Sequence, residues 1–271
     1  MPDWFADMIG MDALDSPMWI YMINYVSDLL SKSPEQASPD TWRFIRDSVY
    51  PYFSVIGATL LNLFCLIGFV RTISNLKENV TIEMWIELCV KLIVGNVLIQ
   101  NGMSLMGDLL EISTLVTKNF IPSNGIGLIT GNVDVGFVLA YIVFGLLYYI
   151  VVAVCSVMIA VEVLGRYLNL YILMGISPIA LSTLAGGHGI ENTAYAWIKS
   201  FFTTCFQIIL IALILCIGGA IVNGGFGRVF TGIGGWFDGF GDMLESCVFM
   251  ILMTTAIKGS DNLLKRAFDL R

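Results

Sequence analysis

The chain has 271 residues, of which 13% are charged and 57% are hydrophobic, and its formal net charge is −7. Soluble domains usually carry about 25% charged residues, and so few charges would not keep a monomer of this size in water. The composition therefore excludes a typical cytosolic enzyme, a disordered tail and a basic nucleic-acid-binding domain. It predicts a polytopic membrane protein.

The first 49 residues predict an amphipathic helical arm. Asp28 lies opposite a face of apolar residues that recur at helical spacing. These are Trp19, Met22, Ile23, Val26, Leu29 and Leu30. Pro34 and Pro39 predict a loop after this helix. Two interpretations of the arm stay open, namely a helix that packs at the membrane interface and a helix that docks a specific partner.

Four uncharged segments are each long enough to cross a membrane, since a span needs about 20 apolar residues. They are residues 48–70, 135–161, 167–190 and 200–227. Residues 84–107 and 243–257 are weaker candidates, because their charged side chains would have to face protein or water. We therefore expect an all-α bundle of five or six membrane segments over residues 50–257, followed by a basic tail over residues 258–271.

The distribution of basic residues predicts the orientation of the bundle, because Lys and Arg are enriched in cytoplasmic loops. The basic tail and the basic residues after the first span both favour the cytoplasm. If the loop after the first span and the C-terminal tail are both cytoplasmic, the chain crosses the membrane an odd number of times. This favours five spans with the N-terminus outside. The segment 162–190 would then be broken or re-entrant, with the break at Pro178 and at Gly186–Gly187. Six spans with both ends in the cytoplasm have comparable support.

Glu162, Arg166 and Asn169 form a narrow polar stripe beside a very apolar run. Glu placed four residues before Arg is the favourable order for a helical ion pair. A charge at the bilayer centre costs about 2.5–3.5 kcal/mol. We therefore expect the stripe to face a bundle interior, a subunit interface or water. The alternative is a helix end at the membrane interface, with Arg166 reaching the lipid phosphates.

A second polar face belongs to the weak span at residues 84–107. It is formed by Glu83, Glu87, Asn101, Ser104 and Asp108, with Lys91 near its edge. Such a face predicts the wall of a polar passage or a subunit contact, and the alternative is a helix buried against other helices. Glu245, in the last weak span, is a further intramembrane charge at which we expect function.

The sequence offers little support for catalysis. It contains no G-x-x-x-x-G-K-[ST] loop for nucleotide hydrolysis. The single histidine, His188, has only Glu191 as a nearby acid, and the six cysteines show no C-x-x-C spacing, so no metal site and no cofactor are expected. Residues 239–242 (Gly-Phe-Gly-Asp) match the short pattern of intramembrane aspartyl proteases, but the second aspartate after a tyrosine is missing. The chain is therefore not expected to be an enzyme.

One segment carries a resemblance to a known family. From Glu162 to Phe202 the chain reads EVLGRYLNLYILMGISPIALSTLAGGHGIENTAYAWIKSFF. An acid and an arginine precede aromatic-rich apolar residues, a Ser-Pro-Ile-Ala-Leu-Ser-Thr break and a Trp-Ile-Lys-Ser-Phe sequence. Over residues 135–260 the chain resembles the TrbL-like polytopic subunits of type IV secretion systems, in the short forms found in Gram-positive conjugative elements. The positions that match best are Arg166, Pro178, Trp197 and Lys199.

The resemblance implies a non-enzymatic channel component in the cytoplasmic membrane of a bacterium, with an external N-terminus and a cytoplasmic C-terminus. It also implies a homo-oligomer that assembles with other secretion subunits near the secretion ATPase. Single-stranded DNA and its attached relaxase would be transient partners. Two other classes stay open. A broken helix at Pro178 suggests a small-solute transporter or ion channel, and Asp242 suggests an intramembrane protease.

Overall fold

A computed structural model describes residues 17–75, 82–121, 138–186, 189–223 and 238–267. Every regular element within these ranges is a helix. Within this described part of the chain, five stretches of helix are long and apolar enough to cross a membrane. The prediction of an all-α, multi-pass membrane protein is therefore confirmed, and the candidate spans among the described residues number five, the lower of the two expected values. The candidate spans are Pro39–Val70, Trp85–Phe120, Gly145–Ala185, Glu191–Ile221 and Leu244–Ala267.

Helix α1, Pro17–Leu30, is the amphipathic helix that the N-terminal sequence predicts. Its buried face is formed by Trp19, Ile23, Val26 and Leu30, and each of these side chains is almost fully removed from solvent. Asp28 is exposed on the other side. Residues 1–16 of the predicted arm lie outside the described residues.

The prediction of a loop around the two prolines is wrong, because each proline begins a short helix. These are α2, Pro34–Ala37, and α3, Pro39–Phe44. Proline suits the first position of a helix, where the missing N–H has no partner within the helix. The Ser33 hydroxyl also caps α2 by accepting a hydrogen bond from the Gln36 N–H. A π-helical turn, Ile45–Val49, joins α3 to the next helix.

Five long helices and one 3₁₀ turn form the remainder of the described chain. The long helices are α4 (Tyr50–Asn75), α5 (Ile82–Phe120), α6 (Val138–Ser182), α7 (Glu191–Asn223) and α8 (Asp238–Ala267). A 3₁₀ turn, Thr183–Ala185, continues α6, and the Gly186 N–H then donates to the Thr183 carbonyl. Gly187 and His188 lie outside the described residues.

Helix α6 corrects the expected division of this region. Residues 135–161 and 167–190 were predicted as separate spans with a break at Pro178, whereas α6 is one helix of 45 residues with Pro178 inside it. The stripe that begins at Glu162 lies in the interior of α6, so the helix end expected as its alternative is absent. The helix ends only at the 3₁₀ turn and Gly186, which is one of the two predicted break points.

The chain divides into two compact units. The first unit is built from the described parts of residues 1–31, 114–165 and 207–263, and the second from those of residues 32–113, 166–206 and 264–271. Four long helices, α5, α6, α7 and α8, contribute residues to both. The predicted boundaries after residues 49 and 257 stay a prediction.

In the second unit, α4 and the preceding α3 pack against α5 in an antiparallel pair. Residue numbers fall along α5 as they rise along α3 and α4. The facing pairs are Trp42 with Gly107, Tyr50 with Gly102, Leu61 with Gly95, and Phe69 with Trp85. The small glycines on α5 make room for large side chains from the opposite helix. The buried core of this unit contains Leu61, Cys65, Ile99, Leu181 and Ala185.

The C-terminal part of α6 approaches α4 closely in the same unit. A Cβ atom placed on Gly57 would lie 2.5 Å from the Pro178 carbonyl oxygen, and one on Gly68 would lie 2.8 Å from the Ala185 carbonyl oxygen. Both obstacles are backbone atoms, which cannot rotate away. Glycine at these two positions therefore allows the two helix backbones to touch.

In the first unit, α7 and α8 also run antiparallel. The Gln207 side-chain amide donates to the Ser260 hydroxyl over 3.1 Å, and both side chains are buried. Further along, Gly218 faces Met253. The Cys216 thiol contacts the Phe120 carbonyl and so ties α7 to the end of α5.

Candidate functional site

A three-residue ion cluster joins α5 and α7 in the second unit. Lys91 Nζ lies 2.9 Å from Glu87 Oε1 and 3.3 Å from Glu191 Oε2. The Lys91 side chain is 32% exposed and that of Glu191 is 21% exposed. The structure thus brings together two predicted site residues, Glu87 and Lys91, with an acid that sequence reasoning did not include in the site.

Local structure explains this arrangement. Glu87 and Lys91 are one helical turn apart, which is the spacing of a favourable ion pair. Glu191 is the first residue of α7, where a carboxylate is stabilised by the positive end of the helix dipole. Gly189, with a φ of 97°, forms the turn that starts α7 there. The cluster keeps one net negative charge, and it fixes α5 against α7.

The other predicted polar residues of α5 do not pack inside the chain. Glu83, Asn101, Ser104 and Asp108 are exposed in the single chain, and both interpretations of this face of α5 stay predictions. The Asn101 side-chain amide donates to the Val97 carbonyl in its own helix.

The exposed face of α5 changes character along its length. Toward the start of the helix it carries exposed apolar residues such as Ile86, Val90 and Ile93. Toward the end, at the same three- and four-residue spacing, it carries four exposed polar residues. We name these the α5 polar stripe: Gln100, Ser104, Asp108 and Glu111. Gln100 and Glu111 were missed as site residues, although their spacing from Ser104 and Asp108 was a usable signal.

Two of the best-matching positions of the resemblance, Pro178 and Trp197, lie in one local arrangement. Pro178 has no N–H, so it removes the hydrogen bond that the Met174 carbonyl would receive in a regular helix. The Ser177 hydroxyl donates to that carbonyl over 2.7 Å. The Trp197 indole N–H donates to the adjacent Leu173 carbonyl over 3.2 Å.

These hydrogen bonds explain why α6 continues through Pro178. The Met174 and Leu173 carbonyls each accept a hydrogen bond from a side chain, so neither is left unsatisfied beside the proline. The broken helix that suggested a transporter is therefore absent from the described chain. Trp197 also stacks on Phe201, whereas Lys199, another matching position, is exposed.

The stripe on α6 is only partly buried. Glu162 and Arg166 are half-buried, and Asn169 is exposed. Glu162 belongs to the first unit, and Arg166 and Asn169 belong to the second. Whether the stripe serves a conduit or a subunit contact stays a prediction.

Glu245 lies deep inside the first unit. Its side chain is 4% exposed, and neither carboxylate oxygen has a hydrogen-bond partner among the described residues. This agrees with the expectation that an intramembrane charge faces protein rather than lipid.

The described residues contain no group of three His, Cys, Asp or Glu side chains that is arranged to hold a metal ion. The six cysteines are all free. His188 lies outside the described residues. The same is true of the Asp242 side chain, so the predicted match to aspartyl proteases stays untested.

The α5 polar stripe and the ion cluster can position charges and hold helices together. Their contacts do not point to a chemical reaction. The resemblance to the TrbL-like subunits depends on the sequence pattern of residues 135–260. The chain has no match among protein family models, curated proteins or solved structures.

Proposed function

We propose that this chain is a channel or scaffold subunit of a conjugative type IV secretion system, and that it helps a DNA–protein substrate cross the cytoplasmic membrane of a bacterium. In this proposal the subunit is not an enzyme and needs no cofactor, because a separate secretion ATPase supplies the energy. Its partners are membrane lipid, further copies of itself and other secretion subunits. Single-stranded DNA with its relaxase passes transiently. The N-terminus lies outside and the C-terminus lies in the cytoplasm.

The observation that carries the proposal is the exposed α5 polar stripe. Contact with lipid is favourable for exposed apolar residues such as Val90 and Ile93. For carboxylates such as Asp108 and Glu111 it costs free energy, and ionisable groups on membrane helices therefore usually face protein or water. A single chain leaves these acids uncovered. A subunit contact or a water-filled passage in a larger assembly would cover them.

The interior of the second unit supports a scaffold role. The Glu87–Lys91–Glu191 cluster joins α5 to α7, and the Trp197 indole joins α7 to α6. Close contact at Gly57 joins α6 to α4. Four helices are therefore held by specific contacts rather than by apolar packing alone, as a subunit that must keep its shape beside partners requires.

Transfer of the conjugative element tests the proposal. An in-frame deletion of the gene should abolish transfer, and the double variant Asp108→Leu/Glu111→Leu should lower it by about tenfold or more, which corresponds to about 1.4 kcal/mol of lost interaction. The matched control Val90→Leu/Ile93→Leu changes the apolar half of the same face and should leave transfer unchanged. Amounts of protein in the membrane are measured for each variant. Unchanged transfer after the deletion contradicts the proposed function.

A further inference from the structure

The exposed face of α1 differs from the exposed faces of the long helices. Among residues 18–30, every exposed side chain carries a polar group. These side chains recur at i, i+3, i+4 and i+7, so they share one face. We name them the α1 outer face: Tyr21, Asn24, Tyr25 and Asp28. The long helices instead expose aliphatic side chains that suit lipid tails, such as Val55 and Leu66 of α4. The α1 outer face therefore suits water, lipid headgroups or a protein.

The apolar face of α1 is not available to lipid. A helix that lies on a membrane inserts its apolar face among the lipid tails. In α1 this face is buried within the protein, and Trp19 and Val26 are fully removed from solvent. The Ser31 hydroxyl also donates to the Asp28 carbonyl over 2.7 Å at the end of the helix. The protein thus holds α1 in place, and a fixed helix presents its outer face to a partner with little further loss of entropy.

The charge of this part of the sequence has one sign. Residues 1–31 contain no lysine or arginine, and their acids are Asp3, Asp7, Asp12, Asp15 and Asp28. Anionic lipid surfaces attract basic segments and repel acidic ones, which disfavours a lipid surface as the occupant. A basic protein surface has the complementary charge. Tyr21 is 68% exposed and Tyr25 is 42% exposed. Tyrosine is enriched at protein interfaces, and its ring face attracts lysine and arginine.

We propose that the α1 outer face docks a segment of another protein that is rich in lysine and arginine. Basic side chains of this segment contact the Tyr21 and Tyr25 rings and pair with the Asp28 carboxylate. The contact extends over about 10 Å along α1, at 1.5 Å per residue from Tyr21 to Asp28. The chain has basic residues of its own near its C-terminus, but five single crossings place them across the membrane from α1. The exclusion of a second copy therefore rests on the proposed orientation.

Binding of a fluorescent oligoarginine peptide tests the surface in the full-length protein. The protein is held in phosphatidylcholine nanodiscs, which carry no net charge, and fluorescence anisotropy gives the dissociation constant. Tyr21→Ser/Tyr25→Ser should raise this constant by about tenfold, which corresponds to about 1.4 kcal/mol, and so should Asp28→Lys. The matched control Tyr52→Ser, at an exposed tyrosine of α4, should leave it unchanged. An unchanged dissociation constant in the double tyrosine variant or in Asp28→Lys overturns the proposal.

Photocrosslinking in the native cells identifies the occupant. A benzophenone amino acid in place of Tyr21 should link to another protein, and mass spectrometry should locate the link in a segment rich in lysine and arginine. Addition of Asp28→Lys should lower the yield by about tenfold, and the same photoreactive residue in place of Tyr52 should not give this product. A link only to lipid, a link to a second copy of the chain, or no protein product overturns the proposal. Neither experiment requires transfer, so failure here is distinct from failure of the proposed function.

Discussion

Tyr50 shows how one side chain can fix two helices. Its hydroxyl donates to the Ile99 carbonyl over 2.8 Å, and the ring is buried at the first residue of α4. A Cβ atom on Gly102 would lie 2.6 Å from that hydroxyl oxygen, so glycine is what allows the tyrosine to enter. The tyrosine sets both the distance and the register of α4 against α5.

Removal of this hydroxyl should lower stability. We expect Tyr50→Phe to cost about 1 kcal/mol, the usual net value of one buried hydrogen bond. This should lower the thermal unfolding temperature by about 2–4 °C for a chain of this size. The measurement is thermal unfolding of the purified protein in detergent. Tyr52→Phe is the matched control, because Tyr52 is 75% exposed on the same helix. Equal effects of the two substitutions would contradict a structural role for the Tyr50 hydroxyl.

The site residues differ in how well sequence predicts them. Glu87 and Lys91 are one turn apart on one helix, so their pairing follows from spacing. Glu191 is 100 positions further along the chain, and its approach to Lys91 depends on tertiary packing that no local pattern contains.

At the scale of the helix, Pro178 shows why local rules predicted too many elements. Proline within a helical pattern usually ends or kinks the helix, because it removes one hydrogen bond. Here the compensating donors are the hydroxyl of Ser177 and the indole of Trp197, and the latter comes from a different helix. The helical content and apolar character were predictable from periodicity and composition, but a donor from another element was not.

The contact between α4 and α6 depends on the absence of a side chain at Gly57. We expect Gly57→Ala to destabilise the protein by about 1–3 kcal/mol, the usual cost of overpacking, because its Cβ would meet the Pro178 backbone. Gly165→Ala is the control. It is also within a helix, but its Cβ would have no atom within 4 Å, so it should be neutral or stabilising by about 0.5–1 kcal/mol. Denaturant unfolding measures both. Equal destabilisation by the two substitutions would contradict a specific role for the contact between Gly57 and the Pro178 backbone.

For the molecule as a whole, composition predicted the membrane class, and charge placement predicts its orientation. Five candidate spans place the two ends of the bundle on opposite sides of a membrane if each span crosses once. Lys258, Lys265 and Arg266 are exposed near the end of α8, where basic residues favour the cytoplasm. The lengths of the spans were less predictable, because apolar segments on either side of charges such as Glu162 merged into longer helices.

Reporter fusions test this orientation. A fluorescent protein that folds only in the cytoplasm should be bright when it is fused after Arg271. An enzyme that is active only outside the cytoplasmic membrane should be active when it is fused before Met1. Truncation after Asn75, which keeps the first candidate span and lacks the other four, should still place its C-terminal fusion in the cytoplasm. Full-length fusions that report the same side for both ends would contradict an odd number of crossings.

The length of α6 has a consequence for where its charges lie. Its 45 residues extend over about 67 Å at 1.5 Å per residue, whereas the hydrocarbon core is about 30 Å thick. Even at a tilt of about 40°, near the upper limit for membrane helices, the core accommodates only about 26 residues. About 19 residues of α6 must therefore project into the headgroups or the aqueous phase. Those residues need not be apolar, because outside the hydrocarbon core their side chains meet headgroups or water.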